Sequence, residues 1–532
     1  MFYPLNVKDF LDRAETVYPD RVGVVDEPNQ PAPPVGELTY GRFAGMARQQ
    51  AAWLDGLGVG VGSRVAIVSH NAARMLTSFF GVSGWGRILV PINFRLGADE
   101  IGYIVGHCDA DVVLVDPELR WLLDSVASKH RYVLGESDAE IFGIGDAETF
   151  GIGDAAIFGI GAVTGALAEA EPRPWAGDEG ATATLNYTSG TTARPKGVQL
   201  THRANWLNAT VFALHTAVTD RDVYLHTLPM FHANGWGMPY AMTGLGVRQI
   251  VLRKIDGAEI LRRVRDQGVT MMCAAPAVLS AVLEAAAEWE GEIPGRDRVR
   301  VVLAGAPPPT RTIERIRADL GWEFIQIYGL TETSPLLTVN RVRSEWDDLP
   351  ASEQARLLGR AGAPALGVRV KVDDGGEILA QTNHNLDAYW ENREATNEAQ
   401  AGNWFHTGDG GHLEDGYLTI TDRKKDVIIS GGENVSSIEV EDVLNSHAAV
   451  REVAVIGIPD ERWGELVTAL VVTDGTSVSA EELIAHCRTR LAGYKTPKRV
   501  EFVDALPRTA TGKLQKFKLR EPFWAGKNRQ VN

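Results

Sequence analysis

The stretch from Tyr187 to Val198, YTSGTTARPKGV, crowds four Ser/Thr hydroxyls, two glycines and one lysine together. A loop of this composition can ring phosphate oxygens with backbone N–H groups. Thr188, Ser189, Gly190, Thr191 and Thr192 form its centre, and Lys196 adds a cation. It is not a Walker A loop, because Lys196 follows Pro195 and is followed by Gly197 rather than by Ser or Thr. Further along, YGLTET sets Glu332 among hydroxyls, HTGD ends on Asp409, and PRTATGK ends on Lys513. Taken singly these read as a solvated loop acid, a turn aspartate before Gly410-Gly411, and an exposed lysine. A carboxylate such as Glu332 is nevertheless what a hard cation bridging phosphates prefers. HExxH and GxSxG are both absent, which removes zinc-protease and serine-hydrolase chemistry.

The elements that would position these residues alternate along the first 330 or so positions. The strand-like TATLN leads into the hydroxyl-rich loop. Phe43 to Asp55 reads as an amphipathic helix before the strand-like RVAIVSHN. AEILRRVRDQGV and TMMCAAP, then RVRVVLAGAP and TRTIERIRADLG, repeat the alternation. The expected fold is a large α/β N-terminal domain of mixed or parallel sheets flanked by helices, with functional loops at strand ends. After about Gly408 the texture becomes short strands with charged, Gly-rich turns. Capping boxes at Ser436/Glu439 and Ser479/Glu482 predict helices running to about Ser446 and Gly493. The chain therefore divides into residues 1–424 and a small α+β C-terminal domain, 425–532. Asp422-Arg423-Lys424-Lys425-Asp426 is the junction. A tandem octad (EIFGIGDA, ETFGIGDA, AIFGIGA), residues 140–162, reads as a surface insertion, its period being far too short for a stacking repeat fold.

A length of 532 residues requires more than one domain. With 44% hydrophobic and 23% charged residues, the composition is that of an ordinary globular protein. The net charge of −16 argues against nucleic acid or acidic lipid as a partner. Cys108, Cys273 and Cys487 are far apart, without metal-ligand spacing, and fit a reducing compartment. The N-terminus lacks an apolar signal core, and no run of 18 apolar residues occurs. A cytoplasmic enzyme is the resulting expectation.

Together and in this order, the motifs resemble those of the acyl-CoA synthetase, adenylation-domain and luciferase superfamily, and the whole-chain pattern looks most like fatty acyl-CoA synthetases. YTSGTTARPKGV resembles the AMP-binding signature, with Ala193 where the family usually has a more permissive Gly. The resemblance implies that Tyr328, beside Gly329, packs on adenine, that Thr331 meets the α-phosphate, and that Glu332, with Thr188, holds Mg2+. Gly305, Ala306 and Pro307 would line the adenine, and Asp409 and Arg423 would take the ribose hydroxyls. Lys513 resembles the catalytic lysine that bridges the carboxylate and the α-phosphate. Lys425 falls at the hinge about which the small, mobile domain rotates. That rotation would present Gly431, Gly432 and Glu433 along the CoA path. Phe231, His232 and Trp236, in PMFHANGW, would border the acyl pocket. The implied reaction converts a fatty or aromatic acid with ATP to acyl-AMP and then, with CoA, to acyl-CoA, AMP and pyrophosphate. Carrier-protein loading, a luciferase-like oxygenase, and nitrite activation for diazotisation of an aromatic amine stay open, as does a homodimer.

Overall fold

A computed structural model of the chain describes residues 1–142, 171–188, 194–305, 308–423, 426–460, 462–508 and 514–525. Two large sheets form the N-terminal part. One has nine strands, with Val22–Val25, Arg248–Val251, Val223–His226, Met271–Ala274, Arg300–Leu303 and Glu323–Gly329 running parallel through its centre. Its edges are antiparallel. The other has seven strands. Arg64–Val68, Ile88–Ile92, Val112–Val115, His130–Val133 and Thr182–Thr188 are parallel, and Lys196–Thr201 turns back antiparallel. Strands such as Val112–Val115 are buried at every position, as expected for parallel strands covered on both faces. The helices begin where the sequence offers caps. Thr39 accepts from Arg42 N at the start of Tyr40–Gly56, and Asp256 from Glu259 N at the start of Gly257–Gln267.

A four-stranded antiparallel sheet (Val368–Val372, Glu377–Thr382, Phe405–Glu414, Tyr417–Arg423) leads toward the C-terminal unit. That unit packs helices Ser437–Asn445 and Ala480–Arg488 on one face of a sheet built around the long hairpin Val450–Asp460 and Gly464–Thr473. Its core holds Val440, Leu444, Val455, Val467 and Leu483. A buried ion pair stitches the two large sheets together, Arg253 making two 2.7 Å bonds to Asp116, and within the nine-stranded half the buried Arg263 reaches Glu27 at 3.1 Å. No helix among the described residues is long and apolar enough to cross a membrane.

The α/β large domain and small α+β domain agree with the sequence reading, and two details correct it. The helix capped by Ser479 and Glu482 stops at Arg488, short of Gly493, where Arg490 and Leu491 N–H both turn back onto the Cys487 carbonyl. The octad segment begins with an exposed Glu140, which accepts a bond from the Trp53 indole N–H, but the next two residues, Ile141 (fully buried) and Phe142 (2% exposed), belong to the main core. Residues 143–162 of that insertion lie outside the described residues. We expect Phe142→Ala to cost about 3 kcal/mol of stability in urea unfolding, the scale of emptying a buried aromatic site. Excision of 143–161 is expected to leave the transition midpoint nearly unchanged.

Candidate functional site

Strand register builds the site. The two strands that bracket the hydroxyl-rich loop are antiparallel neighbours, with Thr188 opposite Lys196. The loop therefore returns its lysine to the side of its own first threonine. Ser189, Gly190, Thr191 and Thr192 lie outside the described residues. Lys196 stands 5.1 Å from the centre of the Tyr389 ring, and Tyr389 pairs with Val198 on the same strand. The Tyr389 hydroxyl donates to Glu332 at 2.9 Å. Burial, and then the Glu332 carboxylate, push the Tyr389 phenol well above its ordinary range, which keeps it a proton-bearing donor. One aromatic ring thus touches both the loop lysine and the acid of YGLTET.

Tyr328, near the end of the strand Glu323–Gly329, donates to Asp409 at 2.9 Å, and both are buried. Asp409 in turn stands directly across from Arg423 in the antiparallel pair Phe405–Glu414 and Tyr417–Arg423. The turn into Asp409 is braced by Thr407, whose hydroxyl donates to the Ile378 carbonyl at 2.7 Å and accepts from Asp409 N at 3.1 Å. At Gly329 a Cβ would fall 1.5 Å from the Pro335 carbonyl oxygen, so only glycine fits there. Thr331 and Glu332 sit on the short turn Thr331–Thr333, closed by the Thr333 hydroxyl accepting from Leu330 N at 3.0 Å. Behind it, burial lowers the His384 imidazole to about 4, and the neutral ring bonds the Leu336 carbonyl at 2.8 Å.

Gly305 follows the strand Arg300–Leu303 with φ +100°, while Ala306 and Pro307 lie outside the described residues. Phe231 and Trp236 are buried, and His232 is half-buried. The Phe231 ring meets Phe94 edge-on at 5.5 Å. Gly431 and Gly432, at φ +63° and +84°, form the two-residue turn between Ile428–Ser430 and Glu433–Val435. Their positive φ is what a type I′ hairpin demands, so the turn alone accounts for both glycines. Glu433 is exposed at the foot of that hairpin. Lys425 and Lys513 lie outside the described residues.

Sequence reasoning missed Tyr389. The stretch NHNLDAYWENREA carries no chemical signal of its own. Only the pairing of its Ala388–Tyr389 bridge with Lys196–Thr201 brings the ring to Glu332.

The chain belongs to the AMP-binding enzyme family. The model of that family matches residues 11–390, and the model of the AMP-binding enzyme C-terminal domain matches residues 439–513. Within the family it is an adenylate-forming acid–thiol ligase acting with CoA. It is 37% identical to 4-hydroxybutyrate–CoA ligase 2 of Metallosphaera sedula, over 98% of this chain and 95% of the relative. It is 36% identical to the peroxisomal acetate/butyrate–CoA ligase AAE7 of Arabidopsis thaliana, over 96% and 93%. Among solved structures it resembles a Mycobacterium tuberculosis fatty acyl CoA synthetase, with TM-score 0.71, 31% identity, and 98% and 99% of the two chains covered.

Tyr389→Phe removes one hydroxyl and keeps the ring under Lys196. Acid-dependent pyrophosphate release is expected to lose about 10-fold in kcat/KM for ATP, the scale of one hydrogen bond to a charged group. The melting temperature is expected to stay nearly constant. An unchanged kcat/KM would show that the Tyr389–Glu332 bond is irrelevant to ATP.

Proposed function

We propose that this ligase activates a short-chain, apolar carboxylic acid. The observation that carries the nucleotide site is the convergence of Tyr328, Asp409 and Arg423 through one hydrogen bond and one cross-strand pair. In this reading Tyr328 flanks adenine, and Asp409 and Arg423 take the ribose hydroxyls. Gly305, Ala306 and Pro307 line the base, and Thr331 meets the α-phosphate. The loop Thr188–Thr192 and Lys196 surround the outer phosphates. Short-chain selectivity is supported by the buried Phe231 and Trp236 and by the acids named for the two similar ligases. Those names favour a short acid within the broader fatty or aromatic range implied by the motifs.

A magnesium ion fits the donor set. Among the described residues no group of three or more His, Cys, Asp or Glu side chains is arranged to hold a metal. Glu332, with the Thr188 hydroxyl, would instead hold Mg2+ together with the nucleotide phosphates, the usual manner for this hard cation. When bound, it would offset phosphate charge.

The chemistry proceeds in two halves. A carboxylate oxygen attacks the α-phosphorus, the acyl-AMP bond forms and pyrophosphate leaves. The CoA thiol then attacks the acyl carbon, losing its proton, and AMP leaves with that oxygen. Lys513 contacts both anions in the first half, holding them together and offsetting transition-state charge. In the second half it gives way to the Gly431–Glu433 hairpin as the small domain, residues 425–532, rotates about Lys425. Thr421 and Asp422 hold the small domain in the present arrangement. The Ser436 hydroxyl donates to Thr421 O, and Asp422 accepts from Ser437 N at 2.9 Å and from its hydroxyl at 2.5 Å. Rotation at Lys425 breaks these bonds. The three buried, unpaired cysteines support a reducing compartment such as the cytoplasm.

Lys513→Ala is expected to lower adenylation by at least about 100-fold, the scale of removing one preorganised donor, while sparing thioester formation from supplied acyl-AMP. Lys425→Pro, which fixes φ at the pivot, is expected to do the reverse. Equal loss of both halves in both variants would overturn the division of labour. The acceptor is tested by offering wild-type enzyme either butyrate with CoA or nitrite with an aromatic amine. Butyryl-CoA supports the reading, and a diazo product without thioester would overturn it.

A further inference from the structure

The acid-binding segment contains a backbone conformation that its residue types do not favour. Ala233, Asn234, Gly235 and Trp236 are consecutively left-handed, with φ/ψ of 45/46°, 54/37°, 57/31° and 61/23°. Gly237 follows at φ +82°. Three of the first four carry a Cβ, and an L-residue spends free energy in this region because its Cβ crowds the following carbonyl. All five residues are buried, so water does not stabilise the turn.

What holds it is a set of buried amides. The Asn234 side chain accepts from Asn186 at 2.9 Å and donates to Thr184 and Asn205, both at 2.8 Å. Asn205 is anchored by donating to the Thr201 carbonyl at 3.1 Å. At the end of the turn, Asn208 donates to the Trp236 carbonyl at 3.2 Å and accepts from Leu336 N at 3.1 Å. At its beginning, Asn71 accepts from Met230 N at 2.8 Å and donates to the Leu228 carbonyl at 3.0 Å. The six side chains Asn71, Thr184, Asn186, Asn205, Asn208 and Asn234 are each no more than 6% exposed. Thr184 and Asn186 lie on the strand that enters the phosphate loop, and Leu336 lies just beyond YGLTET. The network thus ties the acid-binding segment to the phosphate strand and to the strand behind Glu332.

We infer that Asn234 is a positioning residue that sets acid selectivity, by holding the left-handed turn that places Phe231, His232 and Trp236, with Asn71 and Asn208 fixing the two ends. The inference rests on the reading that residues 229–236 border the acid. Asparagine suits the role twice over. Its side chain tolerates the left-handed region better than most, and its amide both donates and accepts. An apolar residue of similar size would leave Asn186, Asn205 and Thr184 with unpaired groups in the core. A network that served folding alone would lower stability when cut, without altering which acid is preferred.

Asn234→Gly tests this, because glycine keeps the left-handed backbone and removes only the three side-chain bonds. Adenylation of straight-chain acids from acetate to octanoate is followed by pyrophosphate release, with and without CoA. We expect KM for the preferred acid to rise about 10-fold. We expect its kcat/KM advantage over the acid two carbons longer to shrink by at least about 5-fold, a change within the range that single methylenes command. KM for ATP is expected to stay within about 2-fold. Should Asn234→Gly fail to fold, Asn208→Ser carries the same comparison from the other end of the turn. Selectivity ratios preserved across the series, whether rates fall uniformly or not at all, would overturn the inference. Wild-type enzyme that activates no acid of the series would overturn the functional reading first, and this inference with it.

Discussion

Antiparallel register is the constraint on which the site depends. Asp409 lies opposite Arg423 in the ladder, and Thr188 opposite Lys196, because their strands pair in that register. A one-residue slip would turn each side chain to the opposite face of its sheet and dissolve both pairs. The register is protected by burial on the core side of these strands. Leu185, Val198 and Leu200 are fully buried in one hairpin, and Phe405 and Leu418 are buried in the other. Hydrophobic burial, which is nondirectional, thereby specifies the directional contacts of a polar site.

Between the paired strands the structure uses single polar side chains as connectors. Tyr389 joins Glu332 and Lys196, Tyr328 joins Asp409, and Asn208 joins the Trp236 carbonyl to Leu336 N. Each connector side chain is buried, which limits competition from water, and loss of one partner strands the other. Catalysis by charge placement needs groups held before the substrate arrives, and these contacts supply that rigidity.

Much of this was legible in the sequence. The capping box at Ser479/Glu482, the helix around Phe43–Asp55 and the buried β-rich runs follow from local chemistry, and the structure reproduces them. The order of the motifs identified the family. What stayed hidden is non-local or conformational. Tyr389 reaches Glu332 across 57 residues of sequence. A tryptophan at positive φ leaves no trace in composition. Phe142 looked like one member of a repeat, yet it is core, because the helix Asp138–Ile141 carries it inward while the similar-looking sequence continues. The Gly431-Gly432 pair had two possible reasons, and only the observed positive φ values identify the hairpin as sufficient.

The central claim is that the acid's own oxygen attacks the α-phosphorus, within a site assembled by strand register. Turnover of an oxygen-18-labelled carboxylate with ATP and CoA, with mass spectrometry of the nucleotide product, tests it most directly. The account predicts one labelled oxygen in the phosphate of AMP and none in inorganic phosphate. Label in inorganic phosphate, accompanied by ADP, would mean attack at the terminal phosphorus and would contradict it.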